Sequence, residues 1–203
     1  MKLVPKKKNI LQGAKLAGGN PENSRVENDY YATNPKALNM LLDVHPIKGS
    51  CLEPCVGGGH LANVIKNRVD KDCVCVDLVD RGYPNTIVQD FLVWKSPKKF
   101  DCIITNPPYS LGEEFIRKSL SLLKDKGVCA MFLKIQFLEG DKRQSFFKEF
   151  PPKYIYVFSK RIDIWNNGNS VDPKTGKKWA NTMCFAWFIW EKNSTSEPIV
   201  RWL

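Results

Sequence analysis

The chain has 203 residues, 43% hydrophobic and 11% aromatic, and carries 31 Lys and Arg against 21 Asp and Glu for a formal net charge of +10. That is enough for one domain with a sizeable core. It excludes two full domains with linkers, and it excludes disorder spread along the whole length.

Residues 1–28 set Lys2, Lys6, Lys7, Lys8, Lys15 and Arg25 against Glu22 and Glu27 with little apolar periodicity, which predicts a flexible basic arm before a folded domain at 29–203. The amino-terminal charges have no apolar stretch behind them. The longest apolar run, Met183 to Trp190, is far short of a membrane span, so a cytoplasmic protein without membrane attachment is expected. Helical spacing with a proline at its start predicts a helix over 35–44, followed by a short strand at 50–54 and the glycine cluster VGGGH. A helix over 61–68, strands at 73–78, 86–88 and 101–105, a helix over 112–124, a strand at 128–133, a helix over 141–149 and a strand at 154–159 follow. Residues 165–182 form a polar, Lys-bearing loop, and a long apolar β segment comes after it. Strands this apolar have no solvent face. Their alternation with helices predicts an α/β fold of Rossmann-like type: a doubly wound, mostly parallel seven-stranded sheet with helices on both faces and an antiparallel last strand.

Seven cysteines (Cys51, Cys55, Cys73, Cys75, Cys102, Cys129 and Cys184), an odd number without a C-x-x-C pair, read as free and mostly buried thiols in a reducing compartment. With His45 and His60 the only histidines, no metal site is expected. The positive charge points toward a polyanion, with nucleic acid ahead of an acidic membrane and plain solubility as the ordinary alternative.

Chemistry concentrates at successive strand ends. EPCVGGGH, at 53–60, ends the first strand of the predicted sheet and opens a helix, so its glycines let a ligand approach the backbone. The spacing is not G-x-G-x-x-G, and Glu53 precedes the glycines, which argues against a phosphate. CVCVDL places Asp77 where a carboxylate accepts hydrogen bonds from a ribose diol, and VQDFL places Asp90 beside Phe91, a carboxylate and a ring suited to an adenine. Each has a plainer alternative in a capping aspartate, a glycine turn or a core ring. In FDCIITNPPYS, at 100–110, a strand stops at Asn106-Pro107-Pro108 and delivers acceptors while the prolines remove two donors. Tyr109 adds a flat face, which suits a planar group carrying an amino function; a proline-rich turn is the plainer reading.

The series EPCVGGG, VDL, QDF and TNPPY, over roughly Asp29 to Trp190, resembles the class I S-adenosylmethionine-dependent amino-methyltransferases, most closely the small phage-type adenine-specific DNA methyltransferases. The resemblance implies that Tyr31 and Thr33 touch the cofactor and that Glu53, Pro54, Cys55, Gly57 and Gly59 line its methionine part. Asp77 and Leu78 would hold its ribose and Asp90 and Phe91 its adenine. Asn106, Pro107, Pro108 and Tyr109 would be the catalytic tetrad. The family often has threonine-proline where this chain has Thr33-Asn34-Pro35, and an acidic residue or alanine near Cys55 to Gly58. A bacterial or phage-infected host cytoplasm follows as the expected setting, with DNA as partner.

Lys134, Gln136 and Phe137, after the fifth strand, are expected to line the target-base pocket, against the alternative of a plain strand-to-helix connection. RIDIW at 161–165 and Lys174, Lys177 and Lys178 are expected to touch phosphates, against that of a solvated loop. An RNA base, a cytosine amino group and a protein glutamine meet the same acceptors, and a non-catalytic nucleic-acid-binding module remains an alternative of a different class. Little territory is left to read base edges in a groove, so short or relaxed specificity, or a specificity partner, is expected.

Overall fold

The computed structural model describes residues 31–141, 143–166, 168–173, 175–177 and 183–203. The expected basic arm at 1–28 lies outside them, as do Lys174 and Lys178 of the expected basic loop.

The first described element is a short strand, β1 (Tyr31–Thr33), after which the chain turns at Asn34 into helix α1 (Pro35–Val44). Asn34 Oδ1 accepts from the Lys36 N–H at 3.0 Å and Pro35 sits in the first turn, so cap and proline start the helix where the sequence predicts. Strand β2 (Cys51–Glu53), helix α2 (His60–Arg68), strand β3 (Val74–Asp77) and the two-residue strand β4 (Ile87–Val88) follow. Next come β5 (Phe100–Thr105), α3 (Gly112–Leu122), β6 (Leu123–Lys134), α4 (Arg143–Glu149) and β7 (Tyr154–Val157). The last elements are β8 (Ile164–Asn166), β9 (Phe185–Glu191) and β10 (Ile199–Trp202).

Among the described residues the main sheet has eight strands in the order β10-β7-β9-β6-β5-β2-β3-β4. The seven expected strands are present, and β9 runs antiparallel to both neighbours, β6 and β7. The eighth strand, β10, pairs parallel with β7 at the sheet edge. Its four residues are all exposed, so nothing in its hydropathy separates it from a tail. Apart from this sheet, β1 and β8 pair antiparallel, with Ala32 opposite Trp165, so the expected polar loop at 165–182 begins inside a strand.

The apolar strands divide their side chains between two layers by the period-two rule. Cys51, Cys75, Cys102, Phe132 and Trp187 face α1 and α2, whereas Leu52, Val76, Ile103, Met131 and Phe188 face α3 and α4. The two fully buried tryptophans keep their polar ends satisfied. Trp187 Nε1 donates to the Ala37 carbonyl at 2.9 Å and Trp190 Nε1 to that of Phe150 at 3.0 Å. No described residue between β3 and β5 is helical. Phe91 and Trp94 plug that stretch instead, in a turn held by Asp90, whose carboxylate accepts from the Leu92 N–H and whose carbonyl accepts from that of Trp94, both at 2.9 Å. All seven cysteines are free, five of them buried.

Candidate functional site

The carboxyl ends of β2, β3, β4 and β5 surround a cleft of roughly 930 Å³, mouth included, the position where open α/β sheets take ligands. Pro54, Cys55 and Val56 form one wall, Asp77, Leu78 and Val79 a second, and Asp90, Phe91 and Leu92 a third. Asn106 and Pro108 close the far side beneath β1, which contributes Tyr31, Ala32 and Thr33.

Loop geometry comes from the glycines and from Asp77. Gly57 and Gly59 have φ of 53° and 84°, left-handed conformations that a side chain resists, and a Cβ on Gly59 would lie 2.1 Å from the Tyr83 ring. The Gly57 N–H donates to Asp77 Oδ2 at 2.8 Å and the Gly59 N–H to the Val56 carbonyl at 2.8 Å. Two of the loop's donors are therefore engaged inward, and the loop is no anion nest. Asp77 Oδ1 accepts from the Val79 N–H at 2.9 Å, so this one carboxylate ties the glycine loop to the end of β3 and keeps one acceptor lone pair on each oxygen for a ligand.

Glu53 lies one layer beneath the wall, 1% exposed, with no hydrogen-bond partner for either carboxyl oxygen among the described residues. Burial drives its carboxyl well above the usual carboxylate range, with Cys73 and Asp77 pushing the same way. The Thr105 hydroxyl pulls it part of the way back without reaching hydrogen-bond geometry. Burial likewise raises the Cys55 thiol, helped by Asp77 and Glu53, which disfavours its thiolate.

A carboxyl raised in the folded state binds its proton more tightly there than in the unfolded chain. The stability it contributes is complete below about pH 4.3 and falls as the pH climbs toward the folded value, by up to about 1.4 kcal/mol per unit. Glu53→Gln is expected to flatten the dependence of unfolding free energy on pH between about pH 5 and about pH 7. Denaturant titrations across that range check it, and parallel profiles for the two proteins would remove the linkage.

The tetrad sits where β5 ends. Asn106 Nδ2 donates to the Tyr31 carbonyl and to Thr33 Oγ1, both at 2.9 Å, while Asn106 Oδ1 is buried and has no partner among the described residues. Because a carbonyl only accepts, the amide end facing β1 is the NH₂ and the oxygen is left for another donor. Pro107 is buried. The Tyr109 ring stacks on Tyr31 with centroids 6.2 Å apart and leans on Phe185, and Lys134 Nζ lies 4.7 Å from its centre.

Of the residues predicted from sequence, the structure gathers Tyr31, Thr33, Pro54, Cys55, Asp77, Leu78, Asp90, Phe91, Asn106 and Pro108 on one cleft. Glu53, Gly57, Gly59, Pro107 and Tyr109 stand behind or beside its walls. Gln136 is exposed. Phe137 departs from its expected place in a target pocket: at 5% exposure it packs in the core on Phe146, Phe147 and Phe188, because the start of α3 at Gly112 leaves room for its ring there. His60, Arg81, Leu111 and Phe115 also line the cleft and were not foreseen. His60 directly follows the glycines, and Leu111 and Phe115 lie four apart just after the tetrad, which are the signals that mark them. Burial lowers the His60 imidazole, whose ring meets Trp165 of β8 edge-on at 5.3 Å.

A planar ring, an acceptor-bound diol and a positively charged centre fit this wall set, whose acidic members Asp77 and Asp90 outnumber the one cation, Arg81, among its described lining residues. These are the parts of S-adenosylmethionine. Among the described residues no cluster of His, Cys, Asp or Glu could hold a metal ion, and no helix is long and apolar enough to cross a membrane.

No protein-family model and no curated protein matches the sequence. Solved structures do match. A candidate class I S-adenosylmethionine-dependent methyltransferase from Listeria monocytogenes is similar at TM-score 0.57 and 16% identity, over 94% of this chain and 71% of that one. A candidate RNA methyltransferase from Pyrococcus horikoshii is similar at 0.60 and 14%, over 84% and 90%. A type I restriction-modification methyltransferase subunit from Streptococcus thermophilus is similar at 0.56 and 16%, over 82% of this chain and 46% of that one. At such identities the likeness is one of fold, and that fold is the Rossmann-like sheet of the class I methyltransferases.

Proposed function

We propose that the chain is an S-adenosylmethionine-dependent methyltransferase that modifies the exocyclic amino group of adenine in DNA. The observation that carries the proposal is the Asn106 carboxamide, held by both its hydrogens with its oxygen unpartnered at the edge of a cleft suited to the cofactor. The cofactor, when bound, supplies an electrophilic methyl group on a positively charged sulfur. Asp77 with Leu78 would hold its ribose, Asp90 with Phe91 its adenine, and the Glu53 to Gly59 loop its methionine part.

An aromatic amino group is a weak nucleophile because its lone pair is delocalised into the ring. Asn106 Oδ1 and the Pro107 carbonyl accept its two hydrogens and draw the nitrogen toward tetrahedral geometry, which frees the lone pair for in-line attack. As positive charge grows on that nitrogen the same two oxygens stabilise it, and the surplus proton leaves to water afterwards. No strong base is needed. A base in duplex DNA must first leave its stack at a cost of about a few kcal/mol, and Tyr109 would stack on it once Tyr31 or Lys134 moves off its ring.

The restriction-modification neighbour supports DNA and the Pyrococcus neighbour supports RNA, so the test presents both. Labelled methyl transfer to duplex DNA, single-stranded DNA, RNA and a protein extract is expected to yield methyladenine in DNA. Label confined to RNA or to glutamine overturns the substrate, and a chain that does not bind the cofactor overturns the activity.

A further inference from the structure

We infer that Thr33 is a positioning residue for the transfer step, acting through Asn106 and not as a contact to the cofactor. The inference rests on the functional reading above and deepens it.

A carboxamide has two ends of nearly equal shape, and only one presents an acceptor to the substrate. The choice is made by β1. The Tyr31 carbonyl fixes which end is the NH₂, and Thr33 Oγ1 takes the second hydrogen, so both N–H bonds of Asn106 are used and the amide plane is held at two points. Thr33 is 2% exposed, so its hydroxyl is met from the protein side and a water does not readily take its place beside Asn106. With the hydroxyl removed, one buried N–H loses its acceptor, and the amide turns away from the substrate to find another.

The brace itself lies outside the main sheet. Strand β1 is held by antiparallel pairing to β8, about 130 residues downstream, with Tyr31 opposite Asn166 and Thr33 opposite Ile164. Ile164 is 8% exposed and belongs to the core layer shared with α1 and α2, which anchors the pair. Alignment of the catalytic amide is thereby relayed from β8 through β1 to Asn106, and Thr33 is the side chain that completes the relay.

The test compares Thr33→Val, which keeps shape and loses the hydroxyl, with Thr33→Ser, which keeps the hydroxyl. The side-chain amide of Asn106 is followed by NMR in the cofactor-free protein. Thr33→Val is expected to shift one of its two proton signals upfield and speed its exchange about tenfold or more, and Thr33→Ser to preserve both. The single-turnover methyl-transfer rate at saturating cofactor is expected to fall about 10- to 100-fold in Thr33→Val, with cofactor affinity within about twofold and the rate restored by serine. Unchanged amide signals, or a weakened affinity with an unchanged saturated rate, overturn the inference and make Thr33 a ligand contact. A wild type that binds the cofactor but methylates none of the four substrates overturns the functional reading first and the inference with it. If Thr33→Val does not fold, the serine variant decides: changed Asn106 signals in it count against the hydroxyl relay.

Discussion

Asn106→Ala is expected to lower methyl transfer by about a hundred- to a thousandfold while leaving cofactor affinity within about threefold. The substitution removes one of the two acceptors proposed to hold the target amino group, and that acceptor matters most when charge has moved onto the nitrogen. An interaction stronger at that moment than in the bound complex appears in kcat and not in binding. Asn106 also ties β5 to β1 by two hydrogen bonds, so a modest loss of thermal stability should accompany the loss of rate. Rates from labelled transfer and affinities from calorimetry separate the two effects. Transfer within tenfold of wild type would sink the proposed role of the tetrad.

The second large effect is expected at Asp77. Its two oxygens hold the Gly57 and Val79 N–H groups, hydrogen bonds to an ionised acceptor worth about 1.5 to 3 kcal/mol each. Asp77→Ala releases the glycine loop from β3 and removes the acceptor for a ribose diol, so cofactor affinity should fall about a hundredfold and unfolding free energy by about 3 to 6 kcal/mol. Asp77→Asn retains one acceptor but turns an NH₂ toward a backbone donor, and should lie between. Calorimetry with denaturant unfolding reads both quantities. Lost stability with intact affinity would leave Asp77 as a loop anchor alone.

Strand ends were the most legible part of the chain because parallel strands buried on two faces appear as unbroken apolar runs, and each stops at a residue that cannot continue it. CVCVDL and FDCIIT therefore announce both a strand and the edge of the cleft that its end lines. The pairing of β1 with β8 was not legible. Three residues on each side, far apart in the chain and mixed in polarity, carry no period, and their partnership exists only once the sheet has formed. Phe137 shows a different limit. An aromatic ring after a strand suits a base pocket and a core equally well, and the packing of α3 and α4 decides between them. The signal of β10 is weak for the opposite reason, since an edge strand with exposed side chains has no buried face to pattern it.

Strand β9 lies between β6 and β7, and its first six residues are buried, yet it follows both in the chain. Until Phe185–Glu191 arrives, β6 and β7 cannot occupy their final separation, and each presents an open backbone edge to whatever is near. During synthesis the growing polypeptide passes through a stage in which the half-sheet from β4 to β6 can assemble but the other half cannot. Closure is one late, long-range event. An interruption between β7 and β9 strands the protein in a form prone to sticking to its own kind.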